Sequence, residues 1–160
     1  MIRLILPNVM DFFPWPKTEA NKHSRGRLAV FAGSQLQTGA ARLAAQNGAR
    51  IGAGWTKIFA SQNAAQIIAI QITSIMIGAY EHGEKLPQEL LGYDAIIIGP
   101  AFGLGVLEQG TLGRVLGLEA ALVLDADAIS LISQDSKNAF AIIKSRPSPT
   151  ILTPHSGEFS

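Results

Sequence analysis

Cysteine is absent from the 160 residues of the chain, which excludes disulfides, thiolate nucleophiles and thiolate metal ligands and fits a reducing compartment. Histidine is scarce: His23, His82 and His155 are the three present, no two of them have metal-ligand spacing, and a zinc or other metal site is not expected. Charge of one sign is also lacking, because 13 Lys and Arg stand against 12 Asp and Glu, a net charge of +1. Neither nucleic acid nor an anionic membrane is therefore expected as a partner, although a small anion bound locally is compatible with this balance. No long apolar run appears; the stretch 67–80 is interrupted by Gln71, Thr73 and Ser74 and is too short to span a bilayer. Residues 1–6 lack the apolar region and small-residue cleavage site of a signal peptide, so a cytoplasmic protein is the expectation.

What is present is a 48% hydrophobic composition, enough for one packed domain of ordinary size. Residues 1–26, with Pro7, Pro14, Pro16 and aromatics at Phe12, Phe13 and Trp15, read as an extended arm that packs by its rings. From Arg27 onward apolar runs alternate with helix-period segments. Residues 28–32, 55–59, 74–77, 95–98, 121–124 and a closing run at 149–152 read as strands. Helices are expected at 38–53, 63–70, 107–116, from Asp127, and around 139–144. Strand-helix-strand connections of this length imply parallel pairing, and the run Ala95-Ile96-Ile97-Ile98 is apolar throughout, as a strand buried on both faces should be. The expected fold class is α/β: a three-layer, mostly parallel, doubly wound sheet with helices on both faces.

The main strands end in unusual sequence: Gly33-Ser34, Gly99-Pro100-Ala101-Phe102-Gly103, Asp125-Ala126-Asp127 and Thr153-Pro154-His155. At the carboxyl edge of a parallel sheet such ends meet where ligands bind, glycines allow close backbone approach, and helix N-termini favour negative charge. Taken singly, each glycine serves as a tight strand-to-helix turn; taken together, they point to a site. Two nucleotide motifs fail. Ala40-Ala41 follow Gly39 where a P-loop carries Lys and Ser or Thr, and the glycines after Gly99 do not follow Gly-x-Gly-x-x-Gly. Asp125 ends a buried strand and needs a partner, Asp127 reads as the N-cap of the next helix, and Glu158 stands where it can orient His155 or cap a helix. His23 and His82 fall in polar segments and receive no role.

In order and spacing these segments resemble the ribokinase-like family of NAD(P)H-hydrate dehydratases. The resemblance is carried by residues 22–27, Gly33-Ser34 with 38–44, 48–54, Gly99-Pro100-Ala101-Phe102-Gly103, Asp125-Ala126-Asp127-Ala128 and Thr153-Pro154-His155-Ser156-Gly157-Glu158-Phe159. It implies a ribokinase-like fold and the nucleotide-dependent dehydration of the S epimer of hydrated NAD(P)H. The hydrate hydroxyl is phosphorylated from ADP or ATP with Mg²⁺, and phosphate then leaves. By position, Ala40, Gly103 and His155 would contact the substrate; Asp125 joins them as a candidate contact from its place at a strand end, with Gly33, Ser34, Gly39, Gly99, Asp127 and Glu158 in support. The resemblance further implies a homo-oligomer and, in many members, an epimerase domain, which these residues do not contain.

Two positions depart from the family pattern: Ala101 stands where glycine is favoured, and Asn21-Lys22-His23 replaces His-Lys-Tyr. The Gly-Thr-Gly-Asp segment that forms the anion hole and supplies the catalytic aspartate is expected beyond Ser160. Residues 27–160 therefore read as part of a domain with no catalytic residue of its own, inactive or nearly so alone. The alternatives are a non-catalytic binding or assembly module, or another ribokinase-like small-molecule kinase.

Overall fold

In a computed structural model, which describes Asp11 and residues 13–158, six strands form one parallel sheet. The strands are β1 Arg27–Phe31, β2 Trp55–Ala60, β3 Met76–Ala79, β4 Ala95–Ile98, β5 Ala121–Leu124 and β6 Thr150–Leu152, in spatial order β3-β2-β1-β4-β5-β6. Helices α1 Gly39–Ile51, α2 Gln62–Gln71, α3 Val106–Leu116, α4 Asp127–Gln134 and α5 Ser136–Ser145 connect them, with a short 3-10 turn at Gln88–Gly92 before β4. The chain starts at β1, winds outward through β2 and β3, then returns to β4 on the other side of β1. The strand order therefore reverses between β1 and β4, which is where an open α/β sheet has its crevice.

Alternation along each strand sends side chains to two cores. On one face Val30, Ile58 and Ala60 pack with Ala41 and Ala45 of α1 and Ala64 and Ile68 of α2. On the other, Phe31, Phe59, Ile96, Ile98, Leu122 and Leu124 pack with Leu112 and Val115 of α3 and Leu131 and Ile132 of α4. The first face is covered over only half the sheet. The register row Ile58, Val30, Ile97, Val123, Ile151 crosses five strands. Ile58 and Val30 are fully buried, Ile97 and Val123 half-buried, and Ile151 is 56% exposed.

Three sequence expectations change. Strand β3 lies two residues later than expected, at Met76–Ala79. Helix α2 begins at Gln62 because the Ser61 side chain accepts from the Ala64 N–H and caps it. Between Lys17 and Ser24 the arm is turned rather than extended. Ala20 N–H bonds to Lys17 O, and the Asn21 side chain accepts from the N–H groups of His23 and Ser24, an Asx turn that composition alone does not reveal. Trp15 is 64% exposed and meets the Phe13 ring at 4.8 Å between centroids, while Pro7 and Phe12 lie outside the described residues.

Candidate functional site

The strand-end segments form a continuous line of contacts along the carboxyl edge. After β1, Gly33 is buried so closely against the turn following β4 that a Cβ there would run into the Ala101 carbonyl. After β4, Gly99 has φ +131° and lies against the Asp125 carbonyl at the end of β5, where again a Cβ has no room. After β5, the Asp125 carboxylate accepts from the Thr153 hydroxyl at 2.8 Å, and Thr153 N–H donates to Leu124 O, joining the ends of β5 and β6. Gly33 and Gly99 are thus glycines because two backbones touch.

The turn 99–103 is strained. Ala101 has φ +53° and Gly103 φ +101°, and at the end of β5 Ala126 has φ +45°. The left-handed region at residue 101 explains why glycine is favoured there, and it costs an alanine about 1–2 kcal/mol. Two contacts hold the turn. Phe102 is buried, with its ring edge-on to Phe31 at 6.3 Å. Asp127 Oδ2 accepts from the Gly103 N–H at 2.8 Å.

That last bond corrects the expectation for Asp127. The N-cap of α4 is Ala126, and Asp127 is the first helical residue, with no capping bond from its side chain; its carboxylate reaches across to the preceding loop instead. The same bond occupies the Gly103 N–H, so any ligand contact by Gly103 is left to its carbonyl, and a Cβ there would meet the Glu108 side chain at 3.1 Å.

His155 lies beyond β6 with its side chain 72% exposed. Its Nδ1 accepts from the Gly157 N–H at 3.0 Å, so in the neutral ring the proton sits on Nε2, which faces Glu158 Oε1 at 3.3 Å. Glu158 Oε2 accepts from the His155 backbone N–H at 3.0 Å. Glu158 thus holds His155 through both the ring and the backbone N–H; the histidine side chain is open to solvent, while that of Glu158 is only 13% exposed. Ala40 and Ser34 are exposed and Gly39 half-buried, in the loop and first turn leading into α1. The structure joins Gly33, Gly99, Gly103, Asp125, Asp127 and Thr153 by contact. Ala40 and His155 sit on flanking segments with no contact that ties them to each other.

His82, passed over in the sequence, lies at this edge too. Once β3 ends at Ala79, residue 82 follows a strand end as the other site residues do, so the two-residue error in β3 hid it. Its ring meets Phe102 at 4.5 Å between centroids, 77° between planes. Its Nδ1 is enclosed without a hydrogen-bond partner, and burial holds its pKa below the ordinary histidine value, against a smaller opposing pull from Glu108 and Glu81. The motif at residues 22–27 is placed at the opposite, amino edge. There Lys22 Nζ sits 5.2 Å above the Trp55 ring and His23 stacks on that ring at 5.8 Å, a structural clamp at the start of β2. A cleft of about 1400 Å³ also opens at that amino edge, between the arm and the end of α1. It is lined by Arg25 and Arg50 but by no strand end from the carboxyl edge, and it is separate from the candidate site.

Among the described residues no group of three His, Asp or Glu side chains could hold a metal ion. The two carboxylates at the end of β5 are committed to Thr153 and Gly103.

Residues 28–160 match the family model described as NAD(P)H-hydrate dehydratase. The bifunctional NAD(P)H-hydrate repair enzyme of Gloeobacter violaceus is 36% identical over 148 residues, covering 88% of this chain and 28% of the relative. The ADP-dependent (S)-NAD(P)H-hydrate dehydratase of Listeria monocytogenes is 26% identical, covering 99% and 56%. Among solved structures, an ADP/ATP-dependent NAD(P)H-hydrate dehydratase from Bacillus subtilis, co-crystallised with ATP/Mg²⁺, superposes with TM-score 0.69 at 28% identity over 91% of this chain and 50% of that one. A ribokinase-like protein from Enterococcus faecalis gives TM-score 0.80 at 22% identity, covering 99% and 58%, and supports the fold. The chain spans little more than half the length of the Listeria relative, and about a quarter of the bifunctional one. With the family model matched over residues 28–160, well over half of its length, the chain belongs to the NAD(P)H-hydrate dehydratase family.

Proposed function

We propose that residues 27–160 carry the substrate side of an NAD(P)H-hydrate dehydratase site and bind the S epimer of hydrated NAD(P)H at the carboxyl edge, with an arm at 1–26. The observation that carries this reading is the packing of the turn after β4 between Gly33 and Asp125, at the point where strand order reverses. Ala40 and His155 flank that point, and Gly103 and Asp125 lie on it. Phosphoryl transfer depends on positioning and on charge stabilisation at the transferred group. The described residues supply surfaces for the substrate and no donor cluster for that group, so the 160-residue chain is expected to bind without turnover. ADP or ATP with Mg²⁺ would be held by residues outside 11–158.

Calorimetry with purified NADPHX tests the binding; absence of heat at millimolar ligand would overturn it. Clear ADP-dependent turnover of NADHX by the 160-residue chain would overturn the assignment of phosphoryl handling to other residues.

The reading as an assembly module has one observation in its favour, the half-covered sheet face running out to Ile151. It predicts a homo-oligomer, read by sedimentation, whose formation is lost in Ile151→Lys.

A further inference from the structure

The substrate reading makes no use of His82, yet the structure clamps this residue from behind and presses it against the strained turn. The clamp is Thr111 of α3, a fully buried threonine. Its Oγ1 lies 3.1 Å from the Tyr80 hydroxyl and accepts from the Gly83 N–H at 3.4 Å, while donating to Leu107 O at 3.0 Å. Tyr80 and Gly83 bracket His82, so the segment is anchored on both sides to a helix whose Leu112 and Val115 sit in the core. The Tyr80 ring itself meets His82 edge-on at 6.0 Å. A ring so fixed transmits position rather than yielding.

We propose that His82 is a positioning residue for the turn 99–103: its ring, braced on α3 through Tyr80 and Thr111, packs against Phe102 and thereby fixes the backbone at Gly103, where the hydrated nicotinamide nucleotide binds. This rests on the substrate reading above. The turn needs such a brace because Ala101, an L-residue with a Cβ, is held at φ +53°, and strained backbone persists only where its surroundings over-determine it. Phe102 meets Phe31 on one side and His82 on another, and Asp127 holds the next residue. The neutral imidazole acts here as an aromatic wedge. The charged groups facing it are Glu81 in its own segment and Glu108 on α3. Burial outweighs both, so the fold favours the uncharged ring.

The sign of the pH effect follows. A histidine whose folded-state pKa is lowered binds fewer protons folded than unfolded between the two values, so its contribution is complete above the ordinary value and is lost as pH falls from there through the lowered one. Acidification should therefore loosen the turn.

The test is hydrogen exchange at the Gly103 amide, whose N–H donates to Asp127, measured by NMR in the wild-type chain, His82→Ala, His82→Gln and His82→Phe, with NADPHX binding followed in parallel by calorimetry. Exchange should rise about tenfold in His82→Ala and His82→Gln, and His82→Phe, which keeps an aromatic edge against Phe102, should restore the protection. Nucleotide affinity should fall and recover in the same order. Below the ordinary histidine pKa, protection at Gly103 should drop in the wild type and stay constant in His82→Phe. Unchanged protection in His82→Ala, or no recovery in His82→Phe, refutes the proposal. Should His82→Ala fail to fold by circular dichroism, equal protection in His82→Gln and His82→Phe refutes it. Protection that follows the expected order in a chain that binds no NADPHX would leave the positioning role standing and sink the substrate reading instead.

Discussion

Replacing Asp127 by alanine removes the bond that ties the start of α4 to the turn after β4. The carboxylate accepts from the Gly103 N–H at 2.8 Å in a part-buried setting. A hydrogen bond to a charged group of this kind contributes about 1.5–3 kcal/mol. Asp127 also sits in the first turn of α4, where a negative charge against the helix dipole adds about 0.3–1 kcal/mol. The sum is about 2–4 kcal/mol, which for a chain of this size lowers the melting temperature by about 5–12 °C. Asp127→Asn keeps an acceptor oxygen and loses the charge, so it should cost about half as much. Urea denaturation of the three proteins measures the difference, and the Gly103 amide reports its location. If Asp127→Ala leaves the urea midpoint and the Gly103 exchange rate where they are in the wild type, the bond does not hold the turn and the reasoning fails. A stability loss without a change at Gly103 would assign the effect to the helix alone.

Arg146, between α5 and β6, donates to the carbonyls of Leu116, Leu118 and Ala120 and through Nε to the Thr150 hydroxyl, and burial lowers its pKa. Arg146→Met keeps the stem and strands those carbonyls at the end of α3, so it should cost about 2–4 kcal/mol by urea denaturation; a loss under about 0.5 kcal/mol would show that water replaces the guanidinium freely. Ala101→Gly relieves a left-handed φ worth about 1–2 kcal/mol against about 0.5–1 kcal/mol of extra chain entropy. The variant should therefore be as stable as the wild type or slightly more stable, and a clear drop in its urea midpoint would mean the alanine methyl packs usefully at the turn.

Much of the fold is legible because parallel strands read as continuous apolar runs, even where, as in β4 and β5, one face is buried and the other only half-buried. Ala95–Ile98 and Ala121–Leu124 are continuous apolar runs whose ends coincide with the expected limits. Strand β3 is less legible because Gly78 interrupts its pattern and Met76, 40% exposed, marks it as an edge strand. That small slip mattered: it left His82 looking like one polar residue in a loop. Asp125, at the end of an apolar strand, is expected to need a partner, and Thr153 is that partner, although the residue itself is only half-buried. The bond from Asp127 to Gly103 spans 24 positions and runs against the local capping rule, so only the folded chain reveals it.

The two non-glycine residues with positive φ among those described, Ala101 and Ala126, fall at the ends of the adjacent strands β4 and β5, on the edge where we propose that substrate binds. Elsewhere, positive φ is carried by glycine, as at Gly26, Gly52 and Gly83. Strain confined in this way costs stability and must be held by something. Around Ala101 the holders are identifiable: Gly33 on one side, Asp125 through Gly99 on another, Phe102 in the core and Asp127 on Gly103. Each lies on a different element, so the turn keeps its shape only while β1, β5 and α4 keep their mutual positions. The substrate contact proposed at Gly103 would thereby be coupled to the integrity of the whole carboxyl edge, and a substitution on α3 behind His82 should be felt there.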